Sequence, residues 1–322
     1  LLTDGGRPLL MILLAGLIGA IVWNLFTWLR GLPSSSSHAM FGGLIGATIA
    51  GMGVDGVKWV GEGAKLDGVV GKIILPGLAS PLIAVFVAMV GTWLVFRIAR
   101  GVAESVMDKG FRWGQVGTAS LVSLAHGAND AQKTMGVITL ALIASGHWVD
   151  THAIPLWVKV TCASAIALGT WLGGWRIIRT MGKGLVEISS PQGMAAEASS
   201  AAVILSSSQL GFALSTTHVA TGSILGSGLG RRAEVRWGIA GRMGLAWLIT
   251  LPSAAVVGAV MWWIGTTLGP WLGPVTIFAI LCGLALWMWL HSRIKPIGHH
   301  NVNDDWEAPD TPAALQTEEV AR

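Results

Sequence analysis

The sequence predicts an all-α polytopic membrane protein built from two repeats with broken or re-entrant helices, the first repeat incomplete. Three observations carry this prediction. The chain is 52% hydrophobic with only 12% charged residues, against about 25% charged in an ordinary soluble domain. Apolar runs of the ~20 residues needed to cross a bilayer recur along it. Two hydroxyl-rich loops ending in histidine, around His38 and His218, interrupt otherwise apolar stretches.

Residues 9–29 form the first apolar run, closed by Arg30. Gly31-Leu32-Pro33-Ser34-Ser35-Ser36-Ser37-His38 follows, ahead of the glycine-rich stretch 39–53. Lipid offers no partner for irregular backbone, so this segment is read as the opening of a short or broken helix that lines a cavity. Residues 55–72 are polar with mixed charges and are expected to be exposed. Residues 73–98 can span with tilt, Pro76 and Pro81 kinking their beginning. Arg97, Arg100, Lys109 and Arg112 make a basic loop before the segment 116–147. Another span covers 153–175, and Arg176, Arg179 and Lys183 follow it. Residues 198–230 are apolar but interrupted at Ser206-Ser207-Ser208-Gln209 and Leu214-Ser215-Thr216-Thr217-His218. Past Arg231, Arg232, Arg236 and Arg242, the last spans lie at 245–268 and 271–290. The expected organisation is 1–115 as the remainder of a first repeat, 116–291 as a second, and 292–322 as a disordered polar tail.

The net charge of +4 does not point to nucleic acid, because the basic residues sit in short loops beside apolar spans, where the positive-inside rule places them. Cys162 and Cys282 fall within apolar segments and read as small core residues, with neither a disulfide framework nor a metal cluster implied. The 17 tryptophans, several near segment ends, suit anchoring at the membrane interface, and the 44 glycines suit close helix approach in lipid. The chain opens Leu1-Leu2-Thr3, without an initiator methionine or a signal-peptide n-region, and is expected to be a fragment.

The most informative stretch is His126-Gly127-Ala128-Asn129-Asp130-Ala131-Gln132-Lys133, a set of polar groups between aliphatic flanks. A charge at the bilayer centre costs roughly 2.5–3.5 kcal/mol on insertion scales, so Asp130 and Lys133 are read as functional. The plainer reading is that Asp130 and Lys133 simply pair along one helix face, which leaves Asn129, Gln132 and Gly127 unexplained. The loops also repeat. Ser35 to Gly46 aligns with Ser215 to Gly226, hydroxyls on hydroxyls and His38 on His218, at an offset of 218 − 38 = 180. Val57-Lys58-Trp59 echoes Val235-Arg236-Trp237, and Pro81 and Pro252 follow. At that offset the counterpart of Asn129 would precede Leu1, so the first copy is expected to lack it.

Gly127-Ala128-Asn129-Asp130 and Leu214-Ser215-Thr216-Thr217-His218 resemble the signatures of the inorganic phosphate transporter (PiT) family, and Gln132-Lys133 is similar to the bacterial low-affinity branch. The resemblance covers about residues 9–268 and implies two inverted repeats, each with both motifs. It implies symport of phosphate, free or as a neutral metal–phosphate, with protons or sodium, and no resident cofactor or enzymatic activity. It also implies a multi-pass place in the cell membrane. The expected partners are phosphate, a coupling cation and the bilayer, with a homodimer admitted and nucleic acid not. Two departures are plain: Ser34-Ser35-Ser36-Ser37 stands where the family has Ser-Thr-Thr, and the first Asn-Asp motif is absent.

The chemistry suits the residues. Ser35, Ser36, Ser37, Ser215, Thr216 and Thr217 would open two helices whose N-termini and hydroxyls replace water around an anion. Asp130 repels an anion, so it is assigned to the coupling cation with Asn129, while Gln132 and Lys133 complete the anion site. His38 and His218 are equally compatible with packing and with proton transfer. Ser206 to Gln209 reads as interhelical glue, Glu197 as a first-turn dipole partner or a site member, and His299-His300 as incidental. Sulfate, a like-shaped anion, is the alternative substrate. An intramembrane hydrolase using Ser215, His218 and Asp130 is the remote one, since no Gly-x-Ser-x-Gly or His-Glu-x-x-His supports it.

Overall fold

The computed structural model describes residues 6–61, 67–101, 104–212 and 214–302. Among these the secondary structure is helical: α1 (Arg7–Leu29), α2 (Ser36–Met52), α3 (Leu75–Ile98), α4 (Glu104–Ala144), α5 (Leu156–Leu172), α6 (Trp175–Arg179), α7 (Ser190–Gln209), α8 (Thr216–Arg231), α9 (Trp237–Thr267) and α10 (Leu272–Ser292). By length and hydropathy four helical segments can cross a membrane, at Arg7–Leu29, Val70–Ile98, Trp237–Thr267 and Leu272–Ser292. A fifth candidate is the segment at Leu156–Leu172 and Trp175–Gly184, bent by 62°.

The sequence expectations need adjustment in several places. The stretch 55–72 is not uniformly exposed: a wide π turn over Val70–Ile74 feeds straight into α3, and Val69, Gly71 and Ile73 are buried. That wide turn sits where Pro76, in the first turn of α3, has no amide to give. Helix α4 runs unbroken for 41 residues through the boundary drawn at 115/116. Helix α7 starts at Ser190, eight residues ahead of the apolar run (198 − 190), because Ser189 and Gln192 form a capping box there. The expected tail lies largely outside the described residues.

The repeat extends further than the motifs. After α1 the chain turns through Gly31 (φ 64°), and after α7 through Gly211 (φ 69°). Leu32 N donates to Thr27 O at 2.9 Å, and Phe212 N to Ser207 O at 3.0 Å. Ser34 N then donates to Leu32 O at 2.8 Å, and Leu214 N to Phe212 O at 3.0 Å. All four pairs keep the offset of 180 residues (212 − 32). Helix α1 packs on α2, α9 and α10, while α7 packs on α8, α3 and α4. Thus α1 to α4 and α7 to α10 occupy matching positions, leaving α5 and α6 between them.

The two copies exchange partners. Helix α2 lies on α9 and α8 lies on α3, so each broken helix is held by the other copy. Glycine makes this contact close. A Cβ at Gly46 would come 1.9 Å from Ala255 O, and one at Gly226 would come 2.2 Å from Val85 O. One turn earlier, Gly42 meets Leu251 and Gly222 meets Pro81. By this register Pro81 matches Leu251, so the two proline positions are one residue out of step. The polarity is inverted relative to a soluble protein: Leu82, Phe86, Leu248 and Phe278 are exposed, while Ser35, Ser215, Thr250, Ser223 and Ser227 are buried.

Replacing Gly46 by leucine is expected to destabilise the protein by about 3 kcal/mol, because backbone carbonyls cannot move aside. Gly117→Ala, where a Cβ meets nothing within 4 Å, is expected to be neutral. Thermal unfolding in detergent compares the two.

Candidate functional site

Two helix starts face each other. Ser35 caps α2 with extended dihedrals (φ −87°, ψ 109°), its Oγ accepting from His38 N at 3.1 Å. Ser215 caps α8 in the same way (φ −86°, ψ 114°), accepting from His218 N at 3.3 Å. Serine suits an N-cap because its short side chain can satisfy one of the orphan amides of the first turn. The amides of Ser36, Ser37, Thr216 and Thr217 have no partner within their helices, which leaves a partial positive charge at each start.

Helix α4 brings the charges. His126, Asn129, Asp130 and Lys133 recur at helical spacing and share one face. Asp130 Oδ1 accepts from Lys133 Nζ and from Asn129 Nδ2, both at 3.1 Å. Its Oδ2 accepts from Thr216 Oγ1 at 3.1 Å and lies 3.2 Å from His126 Nε2. The carboxylate has about four lone-pair sites, and four donors meet them. Lys133 Nζ also donates to Leu214 O at 2.7 Å and to Ser37 Oγ at 2.7 Å. Its three N–H groups are therefore all used, and it links the start of α2 to the start of α8.

This geometry changes several sequence assignments. Lys133 spends its donors on the protein, so in this arrangement it does not complete an anion site. Asp130 and Asn129 sit together as expected, but no lone pair of Asp130 is open to an ion. The pairing of Asp130 with Lys133 along one helix is real and is only part of a larger set. Gln132 and Ser36 are exposed and stand outside the cluster, and Ser35 and Ser215 serve as caps. Glu197 is mid-helix rather than in a first turn, and accepts from Thr118 Oγ1 at 2.7 Å to tie α7 to α4. Ser207 and Ser208 bond to Ile204 O of their own helix instead of bridging helices.

A cavity of about 260 Å³ adjoins the cluster, its polar lining Asn24, Thr27, Ser34, His126, Thr216 and Thr217 set among apolar residues such as Leu32, Ile177 and Met181. It has room for a tetrahedral oxyanion and some water, whose share of liquid volume is about 30 Å³ per molecule. Thr27 Oγ1 and Ser34 Oγ, 2.7 Å apart, form one wall. Trp247 Nε1 donates to Pro33 O at 3.0 Å and holds the loop before α2. The side chain of His126 is 51% exposed and joins this cavity to Asp130. His126, Asn24 and Thr27 were not among the sequence candidates. The four-residue spacing of His126 and Asp130 on one helix was a signal that could have found His126.

His38 and His218 pack with ring centroids 4.8 Å apart. His218 lies 4.3 Å from the Trp247 ring, and its Nδ1 is 3.1 Å from Gly77 O. His38 Nε2 fills the place a side chain at Gly77 would take, 2.7 Å from its Cβ position. Among the described residues no group of three or more His, Cys, Asp or Glu is placed to hold a metal ion.

Because the two caps are equivalent, Ser35→Ala and Ser215→Ala should each lower stability by about 1 kcal/mol. Thermal unfolding of the two variants checks this, and a loss confined to one would break the equivalence.

The model of the phosphate transporter family matches residues 5–109 and 99–258. A probable low-affinity inorganic phosphate transporter of Mycobacterium tuberculosis (strain H37Rv) is 59% identical over 308 residues, covering 95% of this chain and 72% of the relative. One from Bacillus subtilis (strain 168), of the same description, is 41% identical over 255 residues, covering 79% and 74%. A solved structure described as the sodium-dependent phosphate transporter shares the fold, with a TM-score of 0.67 over 80% of each chain at 21% identity. Helices apolar on the outside, a doubled broken-helix motif and these relatives agree: the chain is no enzyme but a multi-pass protein of the cell membrane, and it belongs to the phosphate transporter family.

Proposed function

We propose that this chain carries inorganic phosphate across the membrane by symport with a cation, protons or sodium, the phosphate travelling free or as a neutral complex with a divalent metal. The observation that carries this reading is that the start of α8, where it meets the capped start of α2, opens on a cavity of about 260 Å³. Helix starts are anion sites by construction, and here the free amides of Thr216 and Thr217 are joined by the hydroxyls of Thr217, Ser34 and Thr27. Hydroxyls and amides recognise a tetrahedral oxyanion without a fixed positive side chain, so the ion can leave as well as enter. The names of the relatives, phosphate transporters from several bacteria, favour phosphate over sulfate.

The cation acts through Asp130. His126 reaches from the cavity to Asp130 Oδ2, so a cation arriving in the cavity competes with the donors that hold the carboxylate. Loosening Asp130 loosens its hold on Lys133 and Thr216, and with them the link between the copies. The exchange of α2 and α8 between copies supports opposite orientations of the two in the membrane and a rocking of one against the other about the cavity.

Labelled phosphate uptake by cells lacking their own carriers tests the reading, with sulfate as competitor. Uptake insensitive to sulfate is expected, and block by sulfate would move the substrate. Thr217→Val should raise the half-saturation for phosphate about tenfold, the loss of one hydrogen bond to a charged group. Asp130→Asn should abolish gradient-driven accumulation while the protein still folds; retained accumulation would remove Asp130 from the coupling.

A further inference from the structure

The environment of Lys133 Nζ is that of a cation site. Its neighbours are a carboxylate oxygen of Asp130 at 3.1 Å, the hydroxyl oxygen of Ser37 at 2.7 Å and the main-chain oxygen of Leu214 at 2.7 Å. Carboxylate, hydroxyl and carbonyl oxygens are the donors a hard cation takes. The Leu214 carbonyl is in addition an unwound one, in the break before α8, the kind of group that coordinates cations where spanning helices are interrupted. The three oxygens join the two breaks: Ser37 opens α2, Leu214 precedes α8, and Asp130 on α4 lies between them. A positive charge at this point therefore holds together the two halves of the protein, whichever group supplies it.

Here the chain supplies it. The ammonium has three N–H groups and three oxygen partners, so nothing remains for an anion. It balances the Asp130 carboxylate, with the two side chains only 10% and 18% exposed. The stem of Lys133 rises from α4, three residues from Asp130, so the charge is covalently tied to the chain and cannot diffuse away. Were it removed, Asp130 would be a buried carboxylate without a full positive partner, a strongly unfavourable state, in a cage of oxygens able to take a cation from solution.

We infer that Lys133 is a tethered cation occupying the place where a monovalent metal ion would otherwise bind, and that this residue makes the chain independent of sodium at that place. The inference rests on the transport reading only for its consequence in uptake; the cage itself is tested separately. Two measurements on the purified chain decide it.

Thermal unfolding in detergent is compared in sodium and in choline at equal ionic strength. The unsubstituted protein should melt at the same temperature in both. Lys133→Asn, which shortens the side chain and adds an oxygen, should melt lower in choline and recover by several degrees in sodium, as binding to the folded state alone requires. Lys133→Met, which fills the cage without a charge or an oxygen, should show no recovery. If Lys133→Asn is obtained folded only when sodium is present, that also supports the cage. A folded Lys133→Asn indifferent to sodium would overturn the inference, as would an equal response from Lys133→Met. Of the two coupling ions in the transport reading the inference selects protons, so phosphate uptake by unsubstituted protein in liposomes should be equal in sodium and in choline. Uptake lost in choline would overturn the inference and leave phosphate transport standing. Absence of uptake in both media would count against phosphate transport, and the melting comparison would still decide the cage.

Discussion

The hydrogen bonds around Asp130 and Lys133 hold the centre of this protein. A helix that stops and restarts inside a membrane leaves carbonyls and amides that lipid cannot satisfy. The two breaks here are closed by named groups: Ser35 and Ser215 cap the restarts, Trp247 takes the Pro33 carbonyl, and Lys133 and Asn129 take that of Leu214. Because Lys133 also takes Ser37, both breaks depend on one side chain of α4. Asp130, accepting from its four neighbouring donors, keeps that side chain in position.

Around this centre the structure follows from lipid as solvent. Apolar surface gains little by turning inward, so helix association relies on close approach and on buried hydrogen bonds. The glycines of α2 and α8 meet bare carbonyls of α9 and α3, and Ser37, Thr216, Thr221, Ser223 and Ser227 of the same helices are buried. Each broken helix is clasped by the opposite copy, which makes the line between copies continuous through the site. His38 and His218, in contact on that line, are packed against Gly77 and Trp247.

Much of this was legible in the residues. Apolar length marked most of the spans, and proline with consecutive serines marked the break before α2. The matching hydroxyl-histidine pairs identified both caps and the repeat. The equivalence of α1 and α7 was not legible, since a helix packed in lipid is specified by hydrophobicity and small residues, which many sequences satisfy. The turns after them carry the match instead, at Gly31 and Gly211. Gln132 stands outside the hydrogen-bonded cluster for a simpler reason: adjacent residues on a helix point about 100° apart, so the residue beside Lys133 faces away from its partners. The role of Lys133 itself depends on Ser37 and Leu214, distant in sequence, and no local pattern indicates contacts of that kind.

The claim that an oxyanion is held between the two helix starts is most directly tested by a structure with arsenate, a tetrahedral mimic of phosphate whose arsenic can be located by anomalous scattering. The account predicts a single strong arsenic peak in the cavity bounded by Ser34, Thr217 and His126, within hydrogen-bonding distance of the amides that open α8. A peak on the far side of His38 and His218, or among the arginines at the ends of α3 and α8, would contradict it.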